Sequence, residues 1–139
     1  MKLLVCGDRN WKNREVIRAW IAYLQPELVI EGEARGADLI GKSEATRLKI
    51  PVLSFPAEWD KYGRAAGVIR NTQMLKKGGP DFVVAFHDGI EHSKGTANMV
   101  EQAAKSNIPY IIVQSDMNDP EAEIDRVIGS IKEAISEND

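Results

Sequence analysis

Phe82-Val83-Val84-Ala85-Phe86 is apolar at every position, without the alternation that a half-exposed strand shows. A strand reads this way when both of its faces are covered, as in a parallel sheet with helices on either side. Tyr110-Ile111-Ile112-Val113 reads the same way, and three more short apolar runs precede them: Leu3-Leu4-Val5-Cys6, Leu28-Val29-Ile30 and Val52-Leu53-Ser54-Phe55. Helical patterns separate the runs. Val16, Ile17, Trp20 and Leu24 share a face, with Asn13 placed as a cap; Ala37, Ile40, Ala45 and Leu48 do so more weakly. Ala65, Ile69, Thr72 and Leu75 precede the stop signal Gly78-Gly79-Pro80, and Ala97, Val100 and Ala104 follow Thr96. Asp119-Pro120 reads as a cap with proline at the first helical position, after which Ile124, Val127, Ile128, Ile131 and Ile135 recur at helical spacing. Five βα units in a row predict an α/β fold: an open, doubly wound parallel sheet of about five strands, order 3-2-1-4-5, with helices on both faces. Residues 1–139 read as a single domain in which 116–139 form an acidic C-terminal helix.

The 139 residues carry a net charge of −3, and that small total hides a gradient. Residues 1–77 hold 14 basic and 9 acidic side chains, residues 78–139 hold 4 and 12. An acidic balance argues against a general nucleic-acid coat, whose surface is strongly basic. The single cysteine suits a reducing compartment, and neither a membrane span nor a signal-peptide plan is visible. The expectation is a cytoplasmic protein that does not contact membrane.

In doubly wound sheets, ligands bind beyond the C-terminal strand ends where the strand order reverses. With order 3-2-1-4-5 that crevice opens between strands 1 and 4, beside loops 7–13, 31–38 and 87–96. The unusual residues gather in the same loops. Gly7-Asp8-Arg9-Asn10-Trp11 offers a turning glycine and the planar fork of Arg9, suited to phosphate or carboxylate; a plain turn with a surface arginine reads equally well. In Glu31-Gly32-Glu33-Ala34-Arg35-Gly36-Ala37-Asp38, Gly32 and Gly36 flank Arg35 at a helix start, where amides and dipole favour an anion. Asp38 either accepts a bond from a sugar hydroxyl or serves its own helix. Ser93-Lys94-Gly95-Thr96 precedes another helix and combines hydroxyls, an ammonium and backbone amides as a small phosphate cradle, or is an ordinary helix start. It is neither a Walker A loop nor part of a GxGxxG run. On the third helix, Arg64, Gly67 and Asn71 share a face with Arg70 at its edge. That face looks into the crevice, onto a partner subunit or into solvent. Trp59 and Tyr62 offer rings for stacking on a base or for packing.

These stretches, together with Phe55-Pro56-Ala57-Glu58-Trp59, Tyr62-Gly63-Arg64-Ala65-Ala66-Gly67, Arg70-Asn71, Met74-Leu75 and Gly95-Thr96-Ala97, resemble the YspA-like family of the SLOG superfamily, also called domain of unknown function 2493. The resemblance runs from about residue 3 to residue 113. It implies a Rossmann-like fold, a nucleotide-derived ligand and a homo-oligomer, in proteins of bacteria and phages. Relatives include the Lonely Guy enzymes, which cleave the N-glycosidic bond of nucleoside monophosphates. Their Pro-Gly-Gly-x-Gly-Thr loop is followed closely by a catalytic glutamate. Here His87-Asp88-Gly89 occupies the Pro-Gly-Gly region, and no glutamate follows Thr96 until Glu101.

The leading expectation is therefore a protein that binds a nucleotide or nucleotide-derived small molecule, as a sensor or binding protein, with no further cofactor. Its ligand-binding set is Gly7, Arg9, Asn10, Gly32, Arg35, Gly36, Asp38, Arg70, Asn71, Ser93, Lys94, Gly95 and Thr96. The alternative is a phosphoribohydrolase of the Lonely Guy kind, with Glu31 the candidate catalytic carboxylate because it ends strand 2; Glu33 and Glu91 lie on the same side. Single-stranded nucleic acid is a third, less favoured partner, since aromatics are sparse at 6%. No metal site is expected: His87, Asp88, Glu91 and His92 cluster in six residues but match no common ligand spacing. Cys6 reads as buried packing, and no G-x-S-x-G elbow is present.

Overall fold

The structure is a computed structural model that describes residues 1–127. Five strands, β1 (Lys2–Gly7), β2 (Leu28–Glu31), β3 (Val52–Ser54), β4 (Phe82–Phe86) and β5 (Tyr110–Val113), form one parallel sheet of order β3-β2-β1-β4-β5. The doubly wound, Rossmann-like sheet and the expected order 3-2-1-4-5 are the ones observed. β1 and β4 are central, paired from Leu3↔Phe82 to Gly7↔Phe86, and Val83 to Phe86 are fully buried, as a strand covered on both faces must be.

Alternate side chains divide two cores. On one face Leu3, Val5, Val29, Val84 and Phe86 meet α1 (Arg14–Leu24) and α2 (Ala37–Arg47). On the other, Leu4, Cys6, Ile30, Val83 and Ala85 meet Met74, Leu75, Met99 and Ala103. That second layer consists of a short α3 (Trp59–Tyr62), a 3₁₀ turn (Gly63–Ala65), α4 (Ala66–Gln73), a π turn (Met74–Gly78) and α5 (Gly95–Lys105). The third helix expected from the sequence is thus broken into segments. Its π turn ends at Gly79, whose φ of 62° stops helical winding.

Asn13 caps α1 as anticipated, its Oδ1 accepting the Val16 N–H at 3.3 Å. α2 departs from its expected apolar stripe. Leu48 lies beyond the helix and is exposed, while Glu44 takes an inner position with no exposed surface. Glu44 accepts bonds from Arg14 at 2.9 Å and Arg18 at 3.0 Å, so α1 and α2 meet through a buried ion-paired contact. Burial alone raises the Glu44 pKa, but the two arginines outweigh it and hold the carboxyl below its ordinary value.

Residues 120–127 are helical, begun by Pro120 and capped by Asp119, with Ile124 packed on the first core. The remainder of the expected acidic helix lies outside the described residues. No helix among the described residues is long and apolar enough to cross a membrane.

Candidate functional site at the C-terminal edge of the sheet

β1 leads to α1 on one face and β4 to α5 on the other, the arrangement that in doubly wound sheets sets a ligand crevice at the C-terminal strand ends. Its floor is tightly made. The Asp8 N–H donates to the Phe86 carbonyl at 2.9 Å, and the Asp8 carbonyl accepts from Trp11 at 3.0 Å and Ala37 at 3.1 Å. A Cβ on Gly7 would lie 2.2 Å from the Phe86 oxygen, and one on Gly36, whose φ is 83°, only 2.4 Å from the Asp8 oxygen. Both positions therefore require glycine. Trp11 is buried and tilted against Phe86 at 5.7 Å, which leaves Arg9 and Asn10 on the outside of the turn.

The 31–38 loop is held by its own carboxylates. Asp38 Oδ2 accepts the Gly32 N–H at 3.2 Å and the Ala34 N–H at 3.3 Å; Glu31 Oε1 accepts the Glu33 N–H at 2.9 Å. These amides are spent, so the anion-binding capacity of this loop rests on the Arg35 side chain. Asp38 serves its own loop through Oδ2, and its Oδ1 makes no hydrogen bond among the described residues. Glu31 has no exposed surface, and its Oε2 is buried without a hydrogen-bond partner. Burial raises the Glu31 pKa, against the pull of the nearby Ser54 hydroxyl and the Glu33 N–H.

α4 spans the crevice. Arg70 Nη1 donates to the Gly32 carbonyl at 2.7 Å and its Nε to Asn71 Oδ1 at 3.1 Å; Asn71 Nδ2 donates to the Gly95 carbonyl at 3.2 Å and to Asn98 Oδ1 at 3.1 Å. The end of β2 is thereby wired to the start of α5. Thr96 is buried there, and its hydroxyl makes no hydrogen bond among the described residues. Of the five buried polar side chains among the described residues, four (Glu31, Asp38, Asn71 and Thr96) lie along this edge. Burial pushes the Asp38 carboxyl up to about 7, with Arg70 and the Ala34 and Gly32 amides pulling the other way. Burial also raises the Cys6 thiol, which interacts with Asp38 and Arg70. A thiol so disfavoured as thiolate is poor as a nucleophile.

The predicted residues thus fall into three groups. Gly7, Gly32, Asp38, Arg70, Asn71, Gly95 and Thr96 belong to the connected crevice. Arg9, Asn10, Arg35 and Gly36 line an open groove of about 540 Å³ on the outer side of the same two loops, with Lys12, Arg14, Leu39 and Ile40. Ser93 and Lys94 sit on the turn before α5, where Ser93 Oγ accepts the Thr96 N–H at 3.0 Å as a helix-start bond. Glu33 is paired with Lys42 at 2.7 Å and Glu91 with His92 at 3.6 Å, while His87 Nδ1 accepts the Gly89 N–H at 3.0 Å. Among the described residues no group of three or more His, Cys, Asp or Glu is placed to hold a metal ion. Sequence reasoning missed Asn98 and Lys12. Asn98 and Gln102, at i and i+4 beside the apolar stripe of α5, were the available sign of a polar seam, and Gln102 Nε2 indeed donates to Asn98 Oδ1 at 2.8 Å.

Two comparisons bear on this edge. Residues 1–62, which contain the first two ligand-side loops, match the family described as YspA, cpYpsA-related SLOG family. Over 123 residues the chain is 34% identical to the Gene 61 protein of Mycobacterium phage D29, covering 79% of this chain and 94% of the phage protein. No solved structure matches.

Proposed function

This chain belongs to the YspA, cpYpsA-related SLOG family, and from that premise we propose that its crevice binds a nucleotide or nucleotide-derived small molecule, phosphate end toward the start of α5. The observation that carries this reading is the bonded path Gly32–Arg70–Asn71–Gly95, which brings a guanidinium and the unbonded Thr96 hydroxyl to the strand-order reversal. Arg70 supplies positive charge, and the α5 N-terminus adds its dipole. Asp38, with Oδ2 committed to the loop, offers Oδ1 to a ligand hydroxyl. Holding is favoured over cleaving. A hydrolase needs a carboxylate that reaches the anomeric carbon or its water, and Glu31 is sealed under α2 with its Oε1 engaged.

Thermal melts against AMP, an ADP-ribose-type compound and cyclic nucleotides test this. A ligand at about 100 times its Kd stabilises by about 2.7 kcal/mol, which for a domain of this size raises Tm by roughly 5–10 °C. Thr96→Val and Arg70→Ala are each expected to abolish the shift while leaving a cooperative transition. Failure of every nucleotide to move the melt overturns the reading. Free base released from AMP, and stopped by Glu31→Gln, would replace binding by hydrolysis.

A further inference from the structure

The outer groove has chemistry of its own. Arg9, Lys12 and Arg35 line it, and no aspartate or glutamate does. None of the three forms an ion pair among the described residues, whereas the fourth cation, Arg14, is paired at 2.9 Å with Glu44, a carboxylate it shares with Arg18. The neighbouring Asp8 carboxylate is turned onto the Asn10 N–H at 2.9 Å. Arg35 is fixed in place. Its Nε donates to the Arg9 carbonyl at 3.3 Å and its Nη2 to Asn10 Oδ1 at 3.2 Å, so part of the ordering cost of a guanidinium is met before any ligand arrives.

We infer that this groove is an anion site separate from the crevice, suited to a chain of linked phosphates such as inorganic polyphosphate or the tail of a nucleoside polyphosphate. Three unpaired cations in one groove repel each other unless an anion lies among them. A single phosphate, at about −1.5 to −2 near neutral pH, leaves at least one cation uncompensated. Each further phosphate adds charge along the line of the groove. Two guanidinium forks and an ammonium suit such a chain, since arginine grips phosphate oxygens in a defined plane and lysine acts as a point charge. The apolar wall of Leu39 and Ile40 lies beside them, where it lowers the local dielectric and strengthens the attraction. The inference is independent of the nucleotide reading of the crevice.

Calorimetric titration of the full chain with sodium tripolyphosphate, orthophosphate, ATP and AMP tests it. Tripolyphosphate should bind at least about tenfold more tightly than orthophosphate, and the advantage should shrink with salt, since exposed charges are screened. Lys12→Glu, a change at an exposed position, should weaken tripolyphosphate by about tenfold or more and leave AMP within about twofold. Thr96→Val should do the reverse. Equal affinity for ATP and tripolyphosphate assigns the groove to condensed phosphate; tighter ATP assigns it to nucleoside polyphosphates. The inference is overturned if tripolyphosphate binds no better than orthophosphate, or if Lys12→Glu leaves it unchanged. It also fails if Lys12→Glu and Thr96→Val weaken both ligands alike, which would mean one site. AMP failing to bind while tripolyphosphate responds to Lys12→Glu removes the crevice reading and leaves this one standing.

Discussion

Gly7→Ala is expected to destabilise the protein by roughly 3 kcal/mol or more, a loss of about 10 °C in Tm. The added Cβ would sit 2.2 Å from the Phe86 carbonyl oxygen and 2.8 Å from the Ala37 Cβ. Neither neighbour is the end of a flexible side chain. One is the backbone of the central strand β4; the other is the first residue of α2. Relief therefore requires β1 and β4 to separate where the Asp8 N–H meets that same oxygen, and the crevice floor goes with them. Gly95→Ala is the matched control. No protein atom lies within 4 Å of its Cβ, and it begins a helix, so its effect on folding should be under about 1 kcal/mol. Urea denaturation of both variants makes the comparison. Equal, small losses would mean that the strand ends tolerate separation and that the floor is not fixed as described.

Asp38→Asn should change the pH dependence of stability by on the order of 4 kcal/mol across the window from about pH 4 to pH 7. The Asp38 carboxyl is raised from an ordinary 3.8 to about 7, chiefly by burial. Within that window the native protein keeps a proton that the unfolded chain has released. Stability attributable to Asp38 is then greatest below about pH 4, falls as pH rises, and levels off above about pH 7. Asparagine keeps an acceptor for the Gly32 and Ala34 amides and never acquires the charge. The variant should lack this decline and be the more stable protein at pH 8. Unfolding free energies measured by urea between pH 4 and pH 8 decide the matter, and parallel curves for the two proteins contradict it.

The fold was readable because parallel-strand burial writes itself into composition. Phe82–Phe86 and Tyr110–Val113 are unbroken apolar runs, and five βα units in a row point to a doubly wound sheet, for which 3-2-1-4-5 is one of the common orders. The expectation of a crevice at the ends of β1 and β4 came from the same topology. Its internal wiring did not. Whether Asp38 faces a ligand or the Gly32 amide depends on loop dihedrals, among them the φ of 57° at Glu33, that no spacing rule supplies. Glu31 does end β2, yet strand alternation sends its side chain to the α2 face, where it is buried beside Ser54. On sequence alone Arg9 and Arg35 count as crevice cations, because their loops border the crevice. The Asp8 turn throws both outward, so one expected phosphate site became a polar crevice and a cationic groove. Leu48 misled for a simpler reason: the ion-paired Glu44 replaced it at the α1–α2 contact.

Chemical-shift mapping of the ¹⁵N-labelled protein with AMP tests the central claim most directly. Saturable shifts should concentrate at the amides of Gly7, Asp8, Gly32, Gly95 and Thr96 and at the Arg70 Nε–H, and vanish in Thr96→Val. Shifts confined to Arg9, Lys12 and Arg35, or the absence of any saturable shift, would contradict a nucleotide site between β1 and β4.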